Sequence, residues 1–355
     1  MAIKLKPLDQ QVIVITGATS GIGLATAKAA SKAGARLVLA ARSQADLDTV
    51  ARDLGGRVAT VAADVADPAA VHRIHEAAHA HFGGFDTWVN NAGVGMWGKL
   101  EQGKLEDFKK LYDTNFWGVV NGSLEAIKHL KKHGGALINL GSVASDVALP
   151  IQGMYSSSKH AIKGFTNALR IELTHEEAPV SVTLIKPAAI NTPFPAHARN
   201  YLAEQPTLPP PVYAPEEVAN AILHAATHPV RDIYVGGGGK MMSTMQKYAP
   251  GTVDWLAAKG ADPKNQVKPG TQAQNPGGSL YRPAAPHVEA HGDYEGHTMK
   301  SYYTRASIHP VVAGVVVATG LAAVIALIAG RSHDGLPDAG VPVSHGHESG
   351  PDTDE

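Results

Sequence analysis

A Tyr, a Lys and a Ser stand at spacings that could move a proton. Tyr155 and Lys159 are four residues apart in Y-S-S-S-K, and Ser142 lies thirteen residues before the Tyr. On a helix, positions i and i+4 share a face about one turn apart. A phenol and an ammonium then meet in one small volume. A phenol titrates near ~10 in water, and a neighbouring positive charge lowers that value. Such a pair can act as an acid near neutral pH. The spacing alone carries little weight, so the elements that must position these side chains decide the matter.

Residues 11–16, Q-V-I-V-I-T, read as a short buried strand. T-G-A-T-S-G-I-G follows, and then an Ala-rich helix to about residue 33. A strand, a Gly-rich turn and a helix in that order form a phosphate cradle. Glycine lets the backbone approach a pyrophosphate, and the helix N-terminus offers free N–H groups and a positive dipole end. Gly17, Thr19, Ser20, Gly21, Ile22 and Gly23 would form it. The next strand, residues 36–41, is followed by Arg42 and Ser43. An acidic residue at that strand end would take the ribose hydroxyls of NAD. Here the place is Ala41, and Arg42 offers a guanidinium that pairs bidentately with a 2′-phosphate. NADP(H) is therefore the expected cofactor.

The alternation continues. A helix (44–54) and a strand (57–63) lead to Asp64 and Val65, and a helix spans 68–82. That helix contains His75-Glu76-Ala77-Ala78-His79, a formal H-E-x-x-H. It lies between two strands as a crossover helix, without a third ligand, and no metal is expected. A strand ending in Asn90-Asn91-Ala92-Gly93 precedes a helix carrying Asn115. Residues 135–140 feed into Gly141-Ser142, the Tyr155 helix runs to about 176, and a strand at 180–185 leads to Pro187 and Thr192. Residues 194–214 hold five prolines and cannot be a regular helix, so they read as a lid or substrate loop. A helix (215–227) and a strand (231–235) follow, and four glycines stand at 236–239. Strictly alternating strands and helices imply an α/β, doubly wound parallel sheet, with ligands at the carboxyl edge of its strands.

With a formal net charge of -1, no global field favours nucleic acid, and without cysteine neither disulfides nor thiolate chemistry is open. The start of the chain lacks the apolar run of a signal peptide. Residues 240–259 read as an amphipathic helix interrupted at Pro250-Gly251, residues 259–300 as a flexible linker, and 331–355 as a disordered polar tail. Residues 311–330 carry no charge and no proline. At 1.5 Å per residue this run spans about 30 Å, the thickness of a bilayer core. The expectation is a single-pass membrane helix, with a catalytic domain over residues 8–258 on the cytoplasmic side.

As an ordered set, T-G-A-T-S-G-I-G, N-N-A-G, Asn115, Ser142 and Y-S-S-S-K resemble the short-chain dehydrogenase/reductase family over roughly residues 8–235. The resemblance implies a Rossmann-type fold with a seven-stranded parallel sheet. It implies that Tyr155 is the acid/base, that Lys159 lowers its pKa and holds the nicotinamide ribose, and that Ser142 bonds the substrate oxygen. Asn115 would hold a water of the proton relay. Gly17, Gly21 and Gly23 would line the pyrophosphate, Asp64 and Val65 the adenine, and Asn91, with Ala92 and Gly93, the cofactor ribose region. A homodimer or homotetramer is implied as well. One departure is Pro187-Ala188, where the family usually has Pro-Gly; it bears on how Pro187 and Thr192 meet the nicotinamide. The anchor and the Pro-rich loop point to an apolar carbonyl or alcohol substrate, with Met96, Trp97, Leu149, Met154 and Phe194 as pocket walls. The rival reading is a membrane-tethered NADP(H)-binding scaffold or redox sensor with little turnover.

Overall fold

The structure, a computed structural model, describes residues 3–260, 266–273, 275–283 and 288–309. Seven parallel strands carry it: β1 (Val12–Thr16), β2 (Arg36–Ala41), β3 (Val58–Ala62), β4 (Thr87–Asn90), β5 (Gly135–Leu140), β6 (Val180–Pro187) and β7 (Asp232–Val235). Their order is β7-β6-β5-β4-β1-β2-β3, so the chain winds outward from β1 in one direction, then crosses over and winds in the other. The switch lies between β1 and β4, whose pairing runs from Ile13↔Thr87 to Ile15↔Val89. A doubly wound sheet opens a crevice for ligands at that point.

Strands β1 and β5 are buried at every position, as apolar runs must be when helices cover both faces. On one face pack α1 (Gly21–Lys32) and α7 (Pro215–Thr227), through Leu24, Ala27, Val218 and Ile222. On the other pack α3 (Pro68–Phe82), α5 (Gly118–His133) and α6 (Gly153–His175), through Ile74, Leu130 and Leu169. Each fully buried aliphatic side chain of this kind stabilises the fold by about 1.5–3 kcal/mol relative to exposure. The remaining helices of the first part are α2 (Gln44–Leu54) and α4 (Leu105–Tyr112), and α4 reaches α5 through a π-helical turn at Asp113–Trp117. Polar residues also cross the core. Asn90 and Asn139 sit opposite one another on β4 and β5, and their side chains bond at 2.9 Å. Ser123 and Thr166 complete that chain from α5 and α6.

Past β7 the helical reading of residues 240–259 holds, with its break at Pro250. Gly237–Gly239 open a helix, α8 (Gly237–Tyr248), and α9 (Pro250–Lys259) follows, so the Pro250 break separates two helices. Residues 259–300 were expected to be a flexible linker, yet their described parts pack on the domain. Val267 pairs with Pro206, and Met299 with Tyr213. Leu280 is fully buried and Ala290 nearly so. Their composition is poor in apolar residues, but isolated anchors and backbone hydrogen bonds hold them. The short α10 (Tyr302–Ile308) then packs beside β7, with Thr304 bonded to the carbonyl of Tyr234. The 194–214 loop is ordered too: Arg199–Asn200 pairs with Met96–Trp97, and Val212–Tyr213 with Ala189–Ile190. The proposed membrane helix at 311–330 and the polar tail lie outside the described residues. Among the described residues no helix is long and apolar enough to cross a membrane.

Candidate active site

One cavity of about 750 Å³ runs along the carboxyl edge of the sheet. It starts at the turn between β1 and α1. Thr16 closes β1 there and accepts the backbone N–H groups of Asn91 and Ala92 through its hydroxyl at 3.0 and 3.1 Å. The Asn91 amide donates back to the carbonyls of Thr16 and Gly17 at 2.9 and 3.1 Å. The two strand ends thus hold the turn's shape. At Gly23 the packing leaves no alternative residue, since a Cβ would stand 2.0 Å from the carbonyl oxygen of Gly17. Asn91 was expected beside a cofactor ribose; it lines the cavity and also braces the turn.

Arg42 and Ser43, at the end of β2, line the same end of the cavity with Asp64 and Val65. Burial pushes the Arg42 guanidinium below its ordinary value, and the charge of Asp64 opposes that. Burial works against the Asp64 carboxylate, but the N–H of Ala66, Lys110 at 3.1 Å and Arg42 outweigh it and hold Asp64 below the usual range.

At the other end α6 presents Tyr155 and Lys159, and the strand end of β5 presents Ser142. Lys159 is 5% exposed, donates to the carbonyl of Leu140 at 2.8 Å and lies 5.7 Å from the Tyr155 ring centre. Burial lowers it to about 8. Burial raises Tyr155 to about 12, and a hydrogen bond from Ser142 opposes the rise. The expected lowering of Tyr155 by Lys159 is thus not what governs the phenol here; desolvation is. That shift favours the protonated phenol at neutral pH.

Asn115 is fully buried in the π-helical turn. Its side chain pairs twice with the backbone of Val94, at 2.8 and 3.0 Å, and reaches Ser158 of α6 at 3.2 Å. It ties the loop after β4 to the Tyr155 helix, and it does not line the cavity. Of the other expected residues, Thr19, Ser20, Gly21, Ile22, Gly93, Pro187 and Thr192 all do, and Gly23 stands behind the turn. Trp97, Leu149 and Phe194 form apolar wall, with the Phe194 ring 5.5 Å from Tyr155 and 5.7 Å from Trp97. Met96 packs instead with Val94, Leu111 and Leu280, and Met154 is not part of the wall. Ala188 lines the cavity as well, its methyl packed against Gly239, so the departure from Pro-Gly is accommodated by the four-glycine run.

Four residues escaped the sequence reading of the site because no motif surrounds them. Asp146 follows the Ser142 turn and accepts from Lys163 at 2.6 Å, the Tyr234 hydroxyl at 2.8 Å and Lys186 at 3.2 Å. It anchors that turn to β6, β7 and α6. Met241, Met242 and Ala257 of α8 and α9 add wall from the far end of the chain. The H-E-x-x-H residues serve packing: Glu125 of α5 takes His72 and His75 at 3.0 and 3.1 Å, and His79 stacks on His75. Among the described residues no cluster is arranged to hold a metal ion.

A family model of the short chain dehydrogenases matches residues 11–202. The chain belongs to the short-chain dehydrogenase family. The uncharacterized oxidoreductase YxnA of Bacillus subtilis is 44% identical over 324 residues, which cover 89% of this chain and 90% of that protein. Two solved structures of short-chain dehydrogenases share 26% identity and a TM-score of 0.61. One, from Burkholderia phymatum in complex with NAD, matches over 74% of this chain and 98% of its own. The other, from Burkholderia cenocepacia in complex with NADP, matches over 71% and 99%. This chain is therefore an oxidoreductase of a family that binds a nicotinamide cofactor. The lining of the cavity fits such a group: a glycine turn at one end, polar residues along the strand ends, and Ser142, Tyr155 and Lys159 at the other.

Proposed function

We propose that this protein is an NADP(H)-dependent oxidoreductase that interconverts a carbonyl and an alcohol on an apolar substrate. The observation that carries the reading is one cavity with Arg42 at its nucleotide end and Tyr155, Ser142 and Lys159 at the other. Bound there, NADP(H) supplies the hydride. The chain's own residues supply the rest. Tyr155, kept protonated by burial, donates its phenolic proton to the carbonyl oxygen as charge develops on it. Ser142 bonds the same oxygen and fixes its position. Lys159, tied to Leu140, holds a positive charge near the phenolate that proton donation leaves. Asn115 sets the spacing between the loop after β4 and the Tyr155 helix. Trp97, Leu149, Phe194, Met241 and Met242 exclude water and favour apolar substrates.

Arg42 supports NADP(H) over NAD(H), because a guanidinium stabilises a 2′-phosphate and no carboxylate stands at the end of β2 to receive ribose hydroxyls. The uncharged run at 311–330 supports a single-pass anchor that holds the domain at the cytoplasmic face of a membrane. Exposed Trp117, just before α5, Leu124 on α5 and Ile171 on α6 support pairing of subunits through those helices. The test is turnover by the full-length protein in detergent, with NADPH and NADH offered separately against a panel of long-chain aldehydes, cyclic ketones and short polar carbonyls. Reduction that is faster with NADPH and with apolar carbonyls is expected. No oxidation of either cofactor across the panel would remove the catalytic reading.

A further inference from the structure

After α9 the chain returns across the carboxyl edge of the sheet, and it bonds there to groups that a dinucleotide would meet. Arg42 Nη2 donates to the carbonyl of Ser279 at 2.6 Å, and Nη1 reaches that of Leu280 at 3.5 Å. The N–H of Gly21, in the glycine cradle, donates to the carbonyl of Glu289 at 2.9 Å. Ser279 and Pro283 line the cavity alongside Arg42. At Gly292 the backbone lies against Thr192, and a Cβ would stand 2.3 Å from the Thr192 carbonyl oxygen.

These contacts are anchored from outside the cleft. Leu280 is fully buried with Val94, Met96 and Leu111. The Tyr281 hydroxyl donates to Asp107 Oδ1 at 2.7 Å. Arg199, itself paired with Asp107, donates to the carbonyl of Pro276 at 3.0 Å. Ala290 joins the core under α1 and α7. Such a set of anchors would be wasted on a passive connector.

We propose that residues 275–283 and 288–292 form a clamp over the adenosine and pyrophosphate half of the cofactor cleft, and that the Ser279 carbonyl aims Arg42 at the cofactor's 2′-phosphate. The proposal rests on the cofactor reading above. A guanidinium has five N–H donors in a rigid fork. Carbonyls on one side orient the fork while leaving further N–H groups for phosphate oxygens. A side chain ordered in advance loses less freedom when its ligand arrives. Because the clamp closes over the cleft, it must open for exchange, so it also slows cofactor release.

The experiment uses the full-length protein, with NADPH and NADH as the probes, read by equilibrium fluorescence titration and by stopped-flow release. Leu280→Ala withdraws the buried anchor. Tyr281→Phe removes a single hydroxyl from a side chain that is 56% exposed and leaves the fold standing. Leu280→Ala should speed NADPH release about tenfold and cut the preference for NADPH over NADH by a similar factor, with Tyr281→Phe giving about threefold. In an Arg42→Ala background, Leu280→Ala should no longer alter the preference, because the two act through one interaction. Unchanged release and preference in a folded Leu280→Ala protein would overturn the clamp, and if that variant does not fold, unchanged values for Tyr281→Phe do so. An equal loss for both cofactors, independent of Arg42, would overturn the aiming role. If the unaltered protein binds neither dinucleotide, the cofactor reading fails and the clamp with it.

Discussion

Two parts of this molecule border the same cleft and are built by opposite means. Up to residue 235, the strand ends that border the cleft are fixed by several consecutive backbone pairs, such as Val12↔Arg36 to Thr16↔Ala40. Beyond residue 260, the described stretch is held by scattered contacts, among them the Ser279 and Leu280 carbonyls on Arg42, the Glu289 carbonyl on Gly21 and the Tyr281 hydroxyl on Asp107. The first part is rigid because strand pairing is cooperative. In the second, each isolated hydrogen bond is worth only about 0.5–1.5 kcal/mol net. The proposed chemistry lies on the first part and the proposed clamp on the second.

The largest expected effect tests the first part alone. Tyr155→Phe should lower kcat by about a thousandfold, within the range that a positioned acid contributes, and leave NADPH affinity unchanged. Steady-state rates alongside a binding titration would show it, and a variant with full activity would sink the proton-donor role. Next comes the joint between the two parts. Asp107 is buried and accepts from Arg199 at 2.6 Å, Tyr201 at 2.5 Å and Tyr281 at 2.7 Å. Asp107→Ala strands these donors and should cost about 3 kcal/mol in urea unfolding. A loss under about 1 kcal/mol would mean the joint carries little. Arg42→Ala should weaken NADPH about 10–100-fold, the worth of one or two charge-assisted bonds, and leave NADH nearly unchanged. Equal losses would contradict the 2′-phosphate assignment.

The smallest effect concerns pH and lies wholly in the sheet part. Burial first, then His133, His79 and His75, push His129 from 6.5 down to about 4. The folded chain keeps this imidazole neutral while the unfolded chain takes up a proton. Its contribution is therefore fully present above about pH 6.5 and is lost as pH falls towards 4. After allowance for solvent screening it amounts to about 1–2 kcal/mol. Melting temperatures at about pH 7.5 and about pH 5 should diverge, and His129→Gln should narrow the gap. An unchanged gap would assign the pH dependence to other groups.

The same contrast explains what was legible beforehand. Alternating apolar runs and helices, with glycines at 17, 21 and 23, are local patterns, and the strands at 36–41 and 135–140 begin and end where the apolar runs do. Tyr155, Lys159 and Ser142 come together because β5 and α6 deliver them to one edge. What the Tyr155 motif does not carry is burial, and burial sets that phenol's titration. The returning stretch was read as a flexible linker because its anchors, Leu280, Tyr281 and Ala290, are too sparse to make a period, and its main contacts use carbonyls that every residue has. Asp107 and Asp146 look like ordinary surface carboxylates until their distant donors are known.

The bond from Gly21 to Glu289 joins residues 268 positions apart, the difference between 289 and 21. At roughly 5–20 residues per second, a ribosome needs about 13–54 s to make the second after the first. The glycine turn is made well before this partner. A nascent chain that has completed every strand of the seven-stranded sheet still lacks the segment that bonds the glycine turn, so that contact comes after the sheet and not with it.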